Sequence, residues 1–428
     1  MSFHMVDVHL DDGIELHVCQ TEKFKSSLIS VYIHQELSER HVTRHALLPQ
    51  VLLRGSRQFP DQRAIQRKLQ SLYGAELTSG VSQWGDLHSL YIQLELVDHR
   101  YIPGAPDLLA EGVQMLGDIL YEPAAEGDRS LKPDYVEQEK VNLRHQIEAL
   151  INDKAKYANR RCIEEMFDGT PFALYTYGKI DHLADITAEN LYAYYQEVAR
   201  QLPMDLFIVT SRSAEEVAEL ARKHLVRHEG RQARRPAETP QLPQRGLQEV
   251  IEEKPVQQGK LSIGYRTGVF PSEELYNALI VYNGILGGFV HSKLFRNVRE
   301  KASLAYYAYS RLDGLRGVML VSSGIDVTNY EKTLEIIQRQ VDDMRQGQFE
   351  DDDLLFTKRS LANTYRSMAD NPAAWIDRSM YGLIVGQPFD LEKRLQEIEK
   401  VERDQVVAVA QTVDLDTIYF LTRGSDEQ

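Results

Sequence analysis

Leu90, Ile92, Leu94 and Leu96 alternate with polar residues, so residues 87–96 predict a strand with one apolar face. Leu28-Ile-Ser-Val-Tyr-Ile-His is dense in β-branched and aromatic residues and predicts another. Between them the apolar spacing lengthens to that of helices, over about 38–53 and 61–72, and a strand over 76–82 precedes the alternating one. An amphipathic helix over about 106–120 follows.

The second half of the chain repeats this order. Lys260-Leu-Ser-Ile-Gly-Tyr-Arg predicts a strand, and Ser272 is placed to cap a helix running to about residue 286. A shorter helix over 292–299, strands over 304–310 and 317–324, and a helix over 330–344 complete the series. Each half closes with further helices and a late strand, at 204–210 and 417–422. Helices mixed with paired strands point to α+β rather than to a strictly alternating parallel sheet. Residues 227–247 are rich in Pro, Gly, Arg and Gln, which predicts a solvated linker whose arginines are surface charge. The expected domains are therefore two similar halves, 1–226 and 248–428, joined by 227–247.

Charge narrows the function. The 428 residues carry a net charge of −15. Such a chain repels phosphate backbones and has no attraction to anionic lipid, so neither a nucleic acid nor a membrane is expected as a partner. No apolar run approaches the roughly 20 residues that span a bilayer, and the first residues lack a basic stretch followed by an apolar one. The two cysteines, Cys19 and Cys162, have no metal-binding spacing and suit a reducing cytoplasm. There is no Gly-x-Ser-x-Gly, and Gly284-Ile-Leu-Gly-Gly lacks the Lys-Ser/Thr of a phosphate loop.

Several stretches carry a family resemblance. Gly287-Gly-Phe-Val-His-Ser-Lys-Leu-Phe-Arg-Asn-Val-Arg-Glu-Lys-Ala-Ser-Leu-Ala-Tyr resembles the second-half signature of insulinase-type (pitrilysin-family) zinc peptidases. Leu53-Arg-Gly-Ser, Phe59-Pro and Leu72-Tyr-Gly-Ala resemble the residues just after that family's zinc helix. Thr170-Pro-Phe, Tyr177-Gly-Lys and Ile186-Thr-Ala-Glu-Asn-Leu resemble a later stretch. The resemblance covers nearly the whole chain. It implies two homologous halves, each a mixed, mostly antiparallel sheet with helices packed on one side, closing like a clam over a chamber.

The resemblance also implies a zinc site in the first half, built from His-x-x-Glu-His on a helix and a Glu from a later helix. Two histidines four apart share one helix face, and the intervening Glu acts as base on a zinc-bound water. Aligned on Arg54-Gly55-Ser56, the five motif positions here read Ala46-Leu47-Leu48-Pro49-Gln50. Ala46 has no donor atom, Pro49 cannot take a proton, and Gln50 is a poor zinc ligand. Pro49 should also kink or break its helix. In Glu139-Lys-Val-Asn-Leu-Arg-His-Gln-Ile the later ligand falls on Gln146. No metal or other cofactor is therefore expected. His41 and His45 are also four apart and offer a displaced site, but the base position between them is Arg44, a permanent cation.

What the family's second half supplies is still here. The resemblance implies an Arg and a Tyr, seven residues apart, that bind the peptide and the oxyanion; Arg299 and Tyr306 match it. The structural alternative makes Arg299 a partner of Glu300 or of a helix end, and Tyr306 a half-buried strand aromatic. Some family members are heterodimers in which one chain bears zinc and the other supplies the Arg/Tyr pair. The expected function is thus a non-catalytic subunit that pairs with a zinc-bearing homologue and handles a peptide or protein substrate. The alternatives are a peptide-binding scaffold that pairs with itself and a zinc endopeptidase using His41 and His45.

Overall fold

The repeat read from the sequence is a repeat of strand connectivity. The computed structural model describes residues 5–227, 230–234 and 246–424. The first half runs β1 (Met5–Asp11), β2 (Ile14–Gln20), β3 (Ser26–Glu36), α1 (Val42–Leu52), α2 (Gln62–Ser71), β4 (Glu76–Trp84), β5 (Leu87–Val97) and α3 (Leu108–Tyr121). It continues through the short ribbon β6 (Ala125–Glu126) and β7 (Ser130–Leu131) to α4 (Pro133–Glu148), α5 (Lys154–Met166), α6 (Ala188–Arg200), β8 (Met204–Thr210) and α7 (Ala214–Leu225). The second half runs β9 (Gln248–Glu253), β10 (Gly259–Arg266), α8 (Tyr276–Asn283), β11 (Ala305–Asp313), β12 (Val318–Ile325) and α9 (Tyr330–Arg345). Then come α10 (Asp351–Met368), α11 (Pro372–Ile384), α12 (Leu391–Glu399), α13 (Arg403–Ala410) and β13 (Asp414–Thr422).

The sheet orders are β1-β2-β8-β3-β5-β4 and β11-β12-β10-β13-β9. Read in matching directions, β2, β8, β3, β5 and β4 correspond to β9, β13, β10, β12 and β11. The sense of every pairing agrees: β2–β8 and β9–β13 are parallel, and the others antiparallel. Each sheet is thus mixed and mostly antiparallel, and the fold is α+β. The hairpin strand β1 adds to the edge of β2 and was not foreseen from the sequence, nor were β2 and the edge strand β9.

In each sheet the main helical layer covers one face. Ile29, Val31, Ile33, Leu90, Ile92 and Leu94 point into a core shared with Leu47, Val51, Val113 and Leu116 of α1 and α3. In the second sheet Leu261, Ile263 and Val321 do the same with Leu279, Ile337 and Val409. Residues two apart share a face, so the strand alternation fixes which side the helices take.

Two helices break the expected pattern. The compact units are not the contiguous halves 1–226 and 248–428: Glu148–Ala173 packs with the second sheet, and Asn371–Ile384 packs with the first. So α5 lies across β10, β12 and β13 on the face opposite α8 and α9. There Cys162, Met166 and Phe167 meet Val318, Tyr419 and Leu421. Asn159 of α5 accepts hydrogen bonds from Ser262 and Ser322 at 2.5 Å each. In the first unit, Tyr32 Oη donates to Asp377 of α11 at 3.4 Å. The expectation of helices on one side only therefore holds for the main layer and fails for these two. Each is attached to its own half by the chain, but buries its surface on the other half's sheet, which local periodicity does not encode.

Most of the expected linker 227–247 lies outside the described residues, and its described part corrects the reading of its arginines. Arg231 is 5 % exposed and donates to the carbonyls of Val198, Ala199 and Leu202 at the end of α6. Carbonyls left without helical partners are good acceptors for a guanidinium. Arg234 ion-pairs with buried Asp205 at 2.8 Å and donates to Leu383 of α11.

Candidate functional site

The apolar run of α1 drives it into the core, where Ala46, Leu47 and Leu48 are buried. Pro49 lies inside the helix, and the helix continues unbroken to Leu52, contrary to the expected break. Proline removes one N–H, yet Val51 and Leu52 beyond it stay locked in the core and Leu53 N still donates to Pro49 O. At the four positions singled out from the sequence, the side chains are a methyl group at Ala46, a ring without a proton acceptor at Pro49, and amides at Gln50 and Gln146. Gln146 is exposed on α4.

One carboxylate does sit on that side of α4. Glu139, two helical turns before Gln146, is buried. Its carboxylate takes the guanidinium of Arg54 and the amide of Asn142, the latter at 3.0 Å. It is held by a cation of the chain itself.

The displaced site fails on geometry. His45 is fully buried; its Nδ1 meets Tyr194 Oη at 2.8 Å and its Nε2 accepts from Leu90 N at 3.0 Å. Both nitrogens are engaged, and burial first, then the neighbouring His88, holds its pKa well below the usual histidine value. His41 stacks on Tyr194 with ring centroids 5.6 Å apart. This is a core histidine with an aromatic neighbour, and the pair does not form a ligand set. Among the described residues no group of three His, Cys, Asp or Glu is disposed to hold a metal ion.

Arg299 and Tyr306 lie on either side of a tight change of direction in the second unit. Phe295–Lys301 is a π-helical segment, a geometry often found where function demands it. Ser303, at φ 53°, turns the chain into β11, and the strand begins with a bulge between Ala305 and Tyr307. Arg299 is exposed, and its guanidinium lies 4.7 Å over the Phe295 ring. Among the described residues it forms no ion pair with Glu300, and Tyr306 is 75 % exposed. Of the structural alternatives raised from the sequence, the Glu300 pairing and the half-buried Tyr306 do not apply among the described residues, whereas Arg299 does lie in the last turn of Phe295–Lys301, where a cation suits a helix end.

The sequence reading missed a buried polar hub. Asp205 on β8 receives His17 at 3.0 Å and His34 at 2.8 Å from the two flanking strands, as well as Arg234. Burial opposes the charge on His17, but its bonds to Asp205 and Asp7 outweigh it and raise the pKa to about 9. Burial likewise opposes the charge on Asp205, and the two histidines and Arg234 hold it well below the carboxylate range. Residues 17, 34, 205 and 234 share no local motif, so only the sheet reveals the hub.

Comparison with known proteins agrees with this geometry. A probable inactive metalloprotease of Bacillus subtilis, YmfF, is 37 % identical over 413 residues, covering 96 % of each chain. The chain belongs to peptidase family M16. The family model described as the peptidase M16 inactive domain matches residues 185–361. A conserved protein from Enterococcus faecalis has a solved structure with a TM-score of 0.91 at 30 % identity, over 99 % of this chain and all of that one. An M16 inactive domain from Pseudomonas fluorescens shares the fold, with a TM-score of 0.79 at 16 % identity. This M16 chain is thus a homologue of a probable inactive metalloprotease. No helix among the described residues is long and apolar enough to cross a membrane.

Proposed function

We propose that this chain is the non-catalytic subunit of an M16 peptidase: it pairs with a zinc-bearing homologue and contributes Arg299 and Tyr306 to peptide binding. The observation that carries the reading is a contrast within one chain. The ligand positions Ala46, Pro49, Gln50 and Gln146 offer no zinc chemistry, while Arg299, near the end of Phe295–Lys301, and Tyr306, at the start of β11, stand exposed. A guanidinium offers several donors to a peptide backbone, and a phenol adds one at a developing negative charge. Two buried, unpaired cysteines suit a cytoplasmic setting.

The test is peptide cleavage by a zinc-bearing M16 homologue with and without this chain. Addition should raise the rate, and Arg299→Ala or Tyr306→Phe should remove the gain while leaving complex formation intact. A complex that forms without changing the rate sinks the proposal. Tight peptide binding that ignores Arg299 would instead favour a self-pairing scaffold.

A further inference from the structure

A shallow, open hollow of about 650 Å³ lies on the second unit, lined by Ala149, Asn152, Asp153, Lys154, Ala155 and Lys260. It carries two ammonium groups in a chain whose net charge is −15. Neither lysine has a carboxylate partner among the described residues. Lys260 donates to the neutral amide of Gln258, and its Nζ lies 5.4 Å over the ring of Tyr307. The carboxylate in the lining is already occupied: Asp153 accepts from Lys156 N at 3.0 Å, where it caps α5, and pairs with Lys156 Nζ at 3.2 Å. Burial, only partly offset by Asp153, holds the Lys260 ammonium below the usual lysine range.

The position matters as much as the charge. Tyr307 follows Tyr306 on β11, and its ring fills the space over Gly324, where a Cβ would meet Tyr307 Cε1 at 2.5 Å. The aromatic platform under Lys260 is therefore fixed. A cation held part-desolvated over an aromatic ring, without an anion of its own, is a site for a carboxylate from outside the chain.

We infer that this hollow binds a carboxylate of the peptide, through Lys260 and Lys154, beside Tyr307, the chain neighbour of Tyr306. The inference rests on the peptide-binding reading and adds a preference for acidic peptides. The carboxylate has two possible sources, a free C-terminus or an Asp/Glu side chain.

Binding of synthetic decapeptides to this full chain alone, followed by fluorescence anisotropy, tests it. One pair differs only in a free or amidated C-terminus, and another only in an internal Glu or Gln. The acidic member of at least one pair should bind about five- to tenfold tighter, and Lys260→Gln should erase that difference. Lys332→Gln, a lysine outside the lining, should leave it in place. The pair that shows the difference identifies the source. Equal affinities within both pairs, or a preference that survives in Lys260→Gln and in a Lys154→Gln/Lys260→Gln double variant, overturn the inference and leave the Arg299/Tyr306 reading standing. If no peptide binds, both readings fall.

Discussion

The guanidinium of Arg54, just past the end of α1, closes on the buried carboxylate of Glu139 on α4. These are the two helices on which the family resemblance places zinc ligands. In this chain a salt bridge with side chains 18 % and 7 % exposed joins them.

Removing one partner of a buried pair leaves the other uncompensated, which costs more than the pair contributes. Arg54→Ala should therefore destabilise the protein by about 3 kcal/mol. The Arg54→Met/Glu139→Met double variant should recover a large part of that loss. Urea denaturation of the three proteins decides it; a double variant no better than Arg54→Ala would mean the two side chains do not act as a pair.

The absence of donor side chains predicts a metal outcome. Protein purified without chelators and offered zinc should hold well under one zinc per chain by elemental analysis. His45→Ala should leave that content unchanged, because both His45 nitrogens are engaged inside the core. It should still cost roughly 2–3 kcal/mol of stability, since it leaves Tyr194 Oη and Leu90 N without their partner. One tightly held zinc per chain, lost in His45→Ala, would reverse the assignment.

The hub at Asp205 predicts a pH dependence. The pKa of His17 in the folded protein is about 9, above the unfolded value of about 6.5. The folded state therefore binds the extra proton over that interval. The associated stability is complete below about pH 6.5 and is lost as the pH rises through 9, on the order of 3 kcal/mol in all. Thermal melts of the wild type should fall across this window. Asp205→Asn should be less stable at pH 6.5 and nearly flat above it; an unchanged slope in the variant would assign the effect to other groups.

The docking of α5 predicts a steric outcome. A Cβ on Gly264 would lie 2.2 Å from Met166 Sδ, so Gly264→Val should force α5 away from β10 and cost about 1–3 kcal/mol. Hydrogen exchange should rise in α5 and leave α1 protected. Exchange rising equally in both would show general unfolding instead of local undocking.

The sequence by itself determined most of the elements and the residue types at the positions singled out for zinc. Alternation in β5, β-branched density in β3 and amphipathic spacing in α3 are local signals, and burial of one face follows from them directly. Which atoms Ala46, Pro49, Gln50 and Gln146 possess was legible for the same reason, whatever surrounds them. The tertiary structure decided which sheet each helix covers and which charges are spent. Nothing local distinguishes α5 from a helix that packs on its own half; Gly264, Ser262 and Ser322 receive it from about a hundred residues away or more. The hub of His17, His34, Asp205 and Arg234 and the placing of the Lys260 ammonium over Tyr307 are likewise properties of proximity. A side chain's charge is written in the sequence, but whether a partner already holds it depends on distances that only the folded chain sets.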